Sequence, residues 1–233
     1  MEEKLPSSRY TIVQRDLGNI PWRFDMMKIA PTEIAFDVDG VFADTFHLFV
    51  AKARSEYGYR FDYEDITEYD FMQVLDMEAE ASDAIIQSLL EHPLECGVMP
   101  MAGAVEVLTR LSLLAPLHFI TARPEKKPIL DWVEHQLPEV DRTRTKLEVT
   151  GVHTGKIPVL LEKGFKYFVE DRLETCPLLE RNGITAVLFE QPWNRKPHPY
   201  HVVRGWEDIS TLIDWPRAAP RTPVDKNEKN IMI

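Results

Sequence analysis

Cysteine is rare in this chain and is poorly placed for covalent or metal chemistry. The two cysteines, Cys96 and Cys176, lie far apart, and neither has a second ligand at a metal-binding spacing. A disulfide framework is therefore not expected. Both side chains are interpreted as reduced, semi-buried thiols of a cytosolic protein.

Positive charge is also scarce. The chain carries 27 Lys and Arg residues against 38 Asp and Glu residues, which gives a net charge of −11. A surface of that sign repels a phosphate backbone, so neither a nucleic-acid polymer nor a membrane surface is expected as a partner. A small phosphorylated molecule remains compatible with this charge, because a bound metal and a few local cations can dominate a single site.

Long hydrophobic runs are absent. No stretch approaches the roughly 18 apolar residues that identify a membrane-spanning helix. The first residues, Met1 to Lys4, contain no basic region followed by an apolar core. We therefore expect no membrane anchor, no secretory signal and a cytoplasmic location.

The order of the predicted elements indicates the fold class. Short apolar strands alternate with helices, which predicts an α/β fold: a Rossmann-like parallel sheet with helices on both faces. Residues 29–44 and 98–215 are assigned to this core, and the 233 residues suit one large domain or a domain with an insertion. Strands are predicted at 34–36, 117–121, 147–150, 167–171 and 185–189, and helices at 103–113, 124–136, 157–163 and 178–182.

Residues 45–97 interrupt this alternation. Two helices are predicted there, one capped by Thr45 with Tyr57 on its apolar stripe and stopped by Gly58, the other at 78–90. The segment is long for a connection, so we expect a small helical subdomain, with further core-covering helix as the alternative. Outside the core, residues 1–28 are interpreted as an N-terminal arm and residues 216–233 as a disordered tail.

Two acids directly follow the first predicted strand. Asp37 and Asp39 stand one residue apart, and Gly40 then lets the backbone turn. Two carboxylates this close repel each other and raise one pKa unless a cation or hydrogen bonds intervene. The pair therefore indicates divalent-metal and phosphate chemistry, with two solvent-facing acids at a strand end as the alternative.

The chemistry of these acids suggests roles for them. Asp37 is the candidate nucleophile, because a carboxylate can attack phosphorus and form an aspartyl-phosphate. Asp39 is the candidate general acid and then base. Two further predicted strands end in Thr121 and Asp171, and in a parallel sheet ligands bind beyond the carboxyl ends of the strands. These residues are expected to meet at one edge.

Four segments together resemble a known superfamily. The run Asp37-Val38-Asp39-Gly40-Val41-Phe42-Ala43-Asp44 resembles motif I of the haloacid dehalogenase superfamily in its phosphatase version. The remaining motifs are similar to His118–Pro124 (motif II, with Thr121), Lys156 (motif III) and Phe168–Arg172 (motif IV). The resemblance implies the haloacid dehalogenase fold, with residues 45–97 as its small C1-type cap.

The resemblance also implies site roles. Thr121 would bind the transferring phosphoryl group, and Lys156 would neutralise charge on the nucleophile, with Lys163 and Lys166 as competing choices. The implied cofactor is Mg²⁺, which prefers oxygen ligands. Its ligands would be the carboxylates of Asp37 and Asp171 and the backbone carbonyl of Asp39.

Three further residues are expected around this site. Glu170 stands where the superfamily often has Asp, and we expect it to contact the metal ligands rather than the metal itself. Arg123 is placed there as well, with direct contact to phosphate and a surface ion pair as its two alternatives. Arg172 is expected to pair with the neighbouring acids rather than to contact substrate.

Two later segments indicate one family within the superfamily. Leu188–Arg195 and Val203–Ile209 are similar to the 5'(3')-deoxyribonucleotidase family of cytosolic type C, and the resemblance spans roughly residues 33 to 213. That family presents cap aromatics to a pyrimidine base. Phe46 and Phe71 are the substrate-binding candidates; Tyr69 and Phe49 are also available, although Phe49 fits the helix's own core better.

The sequence thus predicts a Mg²⁺-dependent phosphomonoester hydrolase acting on (deoxy)nucleoside monophosphates through an aspartyl-phosphate. One alternative is the same chemistry on another small metabolite, such as a sugar phosphate or a phosphoglycolate-like acid. A second is a weakly active regulatory or binding member of the fold. The leaving group, the oligomeric state (a homodimer included) and the role of residues 1–28 stay open.

Overall fold

A computed structural model describes residues 28–216. The predicted disordered tail, beyond Pro216, and the predicted N-terminal arm, before Lys28, lie outside the described residues. Within the described range, none of the helices combines the length and hydropathy that a bilayer crossing requires.

The described chain forms a six-stranded sheet with helices on both faces. The sheet order is β3-β2-β1-β4-β5-β6, and every neighbouring pair within it is parallel. The strands are β1 Ile34–Phe36, β2 Leu117–Thr121, β3 Thr145–Val149, β4 Tyr167–Glu170, β5 Thr185–Phe189 and β6 His201–Val203. The helices are α1 Thr45–Tyr57, α2 Ala79–Glu91, α3 Ala104–Ser112, α4 Lys126–Gln136, α5 Lys156–Lys163, α6 Cys176–Arg181 and α7 Trp206–Leu212. The predicted α/β fold class is confirmed.

The strands divide their apolar side chains between two cores, because successive residues of a strand point to opposite faces. Phe36 and Val169 face a large cluster that contains buried side chains of α1–α4 and α7. Ala35 and Phe168 face a smaller cluster closed by α5 and α6. A sheet covered on both faces explains why its strands are continuous apolar runs.

Residues 45–97 contain no strand; their elements are α1, α2 and two short 3₁₀ helices, Tyr63–Asp65 and Phe71–Gln73. The side chains of Phe49, Ile66 and Ile85 belong to the same apolar cluster as the face of the sheet. The segment is therefore helical and packs directly on the core. Its division from the core as a separate cap stays a prediction.

Several predicted details are wrong. Thr45 does not cap α1; Asp44 is the N-cap residue, and the Thr45 hydroxyl bonds elsewhere. Tyr57 is 45% exposed and lies off the buried stripe of α1. Helix α4 begins at Lys126, two residues after Pro124. The C-terminal end of α1 at Gly58, with φ of 79°, agrees with the prediction.

Candidate active site

The carboxyl ends of three adjacent strands meet at one edge of the sheet. Strand β1 lies between β2 and β4, with Phe36 opposite both Phe119 and Val169. The next residues, Asp37 after β1 and Asp171 after β4, and Thr121 at the end of β2 are all at least 95% buried. The edge therefore gathers polar side chains that an isolated strand end would expose to water.

Lys156, the first residue of α5, lies at the centre of these acids. Its fully buried ammonium donates to Asp37 Oδ2 at 2.5 Å and to Glu170 Oε2 at 3.0 Å. Burial lowers the pKa of Lys156, but the two carboxylates outweigh this effect and the pKa is raised. The competing lysines lie elsewhere, Lys163 against Glu148 and Lys166 against Glu33.

The two carboxylates that share Lys156 differ in their surroundings. Burial raises the pKa of Glu170, but Lys156 and the backbone N–H of Arg172 more than compensate, so the pKa is lowered. For Asp37, burial dominates over the opposing effect of Lys156, and the pKa is raised well above its ordinary value. Glu170 is therefore the fixed anion beneath Lys156, while Asp37 faces the cavity described below.

Asp171 is the acid at this edge whose hydrogen-bonding capacity is least used. Both of its carboxylate oxygens are buried, and neither has a hydrogen-bond partner among the described residues. Burial, followed by the charges of Glu170 and Asp37, raises its pKa well above the ordinary range. Asp37, Glu170 and Asp171 can each offer one oxygen within 4.8 Å of the others. Orphaned oxygens beside other carboxylates suit a hard divalent cation such as Mg²⁺.

Gly40 allows Asp171 to approach the turn after β1. Gly40 has a φ of 74°, and a Cβ atom built there would lie 2.2 Å from Asp171 Oδ2. Any side chain would therefore have to displace the carboxylate, and a positive φ disfavours other residues as well. Position 40 of the predicted motif therefore requires glycine for two reasons, its backbone conformation and the lack of space for a side chain.

Asp39 is held by cationic and neutral donors. Arg123 binds it in bidentate fashion, Nε to Oδ2 at 2.9 Å and Nη2 to Oδ1 at 2.7 Å, and the Thr45 hydroxyl donates to Oδ1 at 2.6 Å. Burial raises the pKa of Asp39, but Arg123 and these hydrogen bonds outweigh it, so the pKa is lowered. The Asp39 side chain is therefore turned toward Arg123; its predicted part in metal binding concerns the backbone carbonyl.

Two arginine predictions need correction. Arg123 is only 4% exposed and also donates to the carbonyls of Leu89 and Leu90 in α2, so the surface ion pair considered for it is wrong. The Arg172 side chain was predicted to pair with Glu170 and Asp171; instead its Nε lies 3.7 Å from a carboxylate oxygen of Glu174. Its guanidinium lies 5.0 Å from the centre of the Tyr69 ring.

A cavity of about 300 Å³ opens beside the acids. Asp37, Asp39 and Thr121 line one side of it. Its other walls come mainly from apolar and aromatic side chains of the helical segment, including Phe46, Phe49, Tyr69, Phe71, Ile86 and Leu89. Both predicted substrate-binding candidates, Phe46 and Phe71, are among them. The cavity therefore pairs a charged floor with an aromatic wall.

The sequence does not predict a role for His153, and it uses the segment after β5 only to indicate the family. His153 lines the cavity, and its ring stands edge-on to Tyr69 at 5.3 Å between centroids. Burial, with smaller contributions from Lys156 and Arg172, lowers its pKa to about 4, so the imidazole is neutral at neutral pH. The only sequence signal for His153 was its position three residues before Lys156.

Comparisons with known proteins define first the class and then the family. The fold is that of the haloacid dehalogenase superfamily. A haloacid dehalogenase-like hydrolase from Streptococcus pneumoniae aligns with a TM-score of 0.51 at 13% identity, covering 79% of this chain and 98% of that one. The magnesium-bound YfnB protein of Bacillus subtilis aligns with a TM-score of 0.52 at 12% identity, covering 78% and 98%.

Residues 31–219 match the family model described as 5' nucleotidase, deoxy (pyrimidine), cytosolic type C protein, and the chain belongs to this family. A nucleotidase of Clostridium acetobutylicum is 22% identical over 183 residues, 78% of this chain and 93% of the relative. The enzyme class is that of a phosphomonoester hydrolase. The recognition of superfamily and family from the sequence is confirmed.

Proposed function

We propose that this protein is a Mg²⁺-dependent nucleotidase that hydrolyses (deoxy)nucleoside monophosphates through an aspartyl-phosphate on Asp37. The observation that carries the proposal is the shared cavity, in which Asp37, Asp39 and Thr121 face an aromatic wall. A phosphate group needs the polar side, and a nucleobase suits the aromatic side. The family description and the cavity thus favour the same substrate class.

Asp37 Oδ2 or Oδ1 attacks phosphorus, and the bond from phosphorus to the ester oxygen of the nucleoside breaks. Lys156 lies against Asp37 and offsets the negative charge that builds up between the carboxylate and the phosphoryl group. The Thr121 hydroxyl, on the cavity wall, is the proposed donor to a phosphoryl oxygen.

Asp39 has to carry a proton when the ester bond breaks, and it gives this proton to the leaving alkoxide. The carboxylate formed in that step then takes a proton from the water that cleaves the aspartyl-phosphate, which restores the acid. For this exchange the hold of Arg123 and Thr45 on both Asp39 oxygens has to loosen when substrate occupies the cavity. Arg123 is thus proposed to bind and orient the Asp39 carboxylate before substrate enters, rather than to contact the phosphate itself.

Asp37, Asp171 and the backbone carbonyl of Asp39 would hold the Mg²⁺ ion, since Asp171 brings two unpartnered oxygens and Glu170 is already engaged by Lys156. When bound, the ion would draw charge from the phosphoryl oxygens and hold them in line for attack. A cytoplasmic location is proposed as well, in keeping with the family's description.

A substrate panel tests the substrate class. We expect dUMP and dTMP to be hydrolysed with a kcat/KM at least about tenfold above that of ribose 5-phosphate, because burying a base against aromatic rings contributes more than about 1.4 kcal/mol. The measurement is phosphate release under matched conditions. Equal efficiency across all phosphomonoesters would contradict the nucleotidase proposal and favour a general small-metabolite phosphatase.

Metal removal tests the cofactor. Dialysis against EDTA is expected to lower kcat on the preferred substrate by at least about 100-fold, because the cation supplies several kcal/mol of charge stabilisation in such sites. Added Mg²⁺ should restore the rate, and circular dichroism should show an unchanged fold throughout. Full activity in EDTA would exclude the proposed metal.

A further inference from the structure

The loop that follows β5, residues 190–196 and called here the 190–196 loop, touches both acid-bearing turns from behind. Asn194 Nδ2 donates to the carbonyl of Asp171 at 2.7 Å, and Trp193 Nε1 donates to the same carbonyl at 3.1 Å. Gln191 Nε2 donates to the carbonyl of Gly40 at 2.7 Å. One loop therefore holds the backbone of the β4 turn and of the β1 turn together.

The loop is itself rigidly built. Gln191, Trp193 and Asn194 are each at most 5% exposed. Asn194 Oδ1 accepts from the backbone N–H of Gln191 at 3.0 Å, and Asn194 Nδ2 donates also to the carbonyl of Phe189. Buried polar groups with every partner in place fix a single geometry, and losing one partner leaves another group unsatisfied.

This geometry matters because the two turns are in van der Waals contact. Position 40 has no room for even a Cβ atom beside Asp171 Oδ2. A small shift of either carbonyl would therefore move the orphaned carboxylate of Asp171 relative to Asp37. The hydrogen bonds of Gln191, Trp193 and Asn194 to these turns end on the backbone carbonyls of Gly40 and Asp171, so they act on the spacing of the acids through the backbone.

The same loop is tied to the helical segment. The Tyr63 hydroxyl donates to Gln191 Oε1 at 2.5 Å, and the Tyr63 ring stands edge-on to Trp193. Trp193 also packs on Phe46, a cavity-wall residue, with 4.3 Å between ring centroids. Ion pairs of Arg195 with Glu64 and of Lys196 with Glu68 add a second, exposed connection.

We propose that Gln191 and Asn194 are positioning residues that set the Mg²⁺ affinity of the acid cluster without contacting the ion, and that Tyr63 couples the helical segment to them. This inference rests on the metal site of the proposed function. Gln191 bonds both to Tyr63 and to the carbonyl of Gly40, so a shift of the 3₁₀ helix Tyr63–Asp65 would move the turn after β1. The aromatic wall of the cavity is thereby coupled to the acids on its other side.

Calorimetric titration of the full chain with Mg²⁺ alone tests the proposal. Asn194→Ala and Gln191→Ala are expected to bind Mg²⁺ about 10- to 100-fold more weakly than the wild type, the range typical of groups that orient metal ligands. The matched controls Asn182→Ala and Gln87→Ala remove exposed amides of the same types, and they should bind as the wild type does.

Tyr63→Phe provides the conservative variant, since it removes a single hydroxyl. We expect Mg²⁺ binding about 3- to 10-fold weaker, corresponding to one lost hydrogen bond. Tyr59→Phe removes a hydroxyl that accepts a hydrogen bond from the backbone N–H of Glu78, away from the 190–196 loop, and should leave the affinity unchanged.

The outcomes separate the two proposals. A wild type that binds no Mg²⁺ would overturn the proposed metal site and this inference with it. A wild type that binds Mg²⁺ and hydrolyses nucleotides, while folded Asn194, Gln191 and Tyr63 variants show the same affinity, would overturn the role of the 190–196 loop alone. Should the two alanine variants not fold, the Tyr63 and Tyr59 pair decides.

Discussion

Asp37→Asn is expected to lower kcat by at least about 10³-fold while leaving the fold intact, because an amide oxygen is too weak a nucleophile to attack phosphorus. The variant keeps the shape of the side chain. Glu170 continues to neutralise Lys156 in it, so a buried unpaired charge does not arise. Steady-state hydrolysis of the best substrate in the panel, together with thermal melting, measures both quantities.

The control for this variant is Asp83→Asn, an exposed carboxylate of α2, which should retain wild-type kcat. A companion measurement concerns the intermediate. Mass spectrometry of peptides from an acid-quenched reaction of Asp39→Asn with an activated phosphate ester should find a phosphoryl adduct on the peptide containing residue 37. Wild-type activity in Asp37→Asn would exclude residue 37 as the nucleophile.

Lys156→Met is expected to combine a loss of activity with the largest loss of stability. The ammonium group is fully buried between Asp37 and Glu170, and its removal leaves two carboxylates facing each other without a counterion. Breaking a buried ion pair in this way typically costs about 3–5 kcal/mol of unfolding free energy. Urea denaturation of the metal-free protein measures the change.

Lys163→Met is the matched control, because that lysine pairs with Glu148 at the surface, where an ion pair contributes about 1 kcal/mol or less. The double variant Lys156→Met with Glu170→Gln should recover part of the lost stability, since only one buried carboxylate then remains. A loss below about 1 kcal/mol for Lys156→Met would show that Lys156 does not hold the acids together.

Much of the fold was predictable because its strands are short apolar runs with clear ends. Strands β1, β2 and β5 coincide with the predicted ranges. The sixth strand, His201–Val203, was missed because three residues with a histidine at one end give no recognisable period. The sequence predicts the start of α4 two residues early because proline is common in the first turn of a helix. Pro124 precedes the helix, and Pro128 is the proline that occupies its first turn.

For the candidate site, too, some features could be predicted from the sequence and others could not. Asp37, Asp39, Thr121 and Asp171 follow from residue types at strand ends, whereas Lys156 was implied by the family resemblance. The roles of all five stay predictions. The hold of Arg123 on Asp39 joins residues 84 positions apart, and Gln191 reaches a carbonyl 151 positions away. Side-chain contacts between residues this far apart in the sequence leave no trace in composition or periodicity, so only the folded chain reveals them.

The missing methyl group at position 40 has a consequence for how this protein can vary. Even a single added carbon at this position intrudes on the turn that carries Asp171. Design or directed evolution of new substrate preferences therefore has almost no freedom at this residue, and changes have to be sought elsewhere in the cavity. The absence of a Cβ atom at residue 40 thus limits how this part of the enzyme can change.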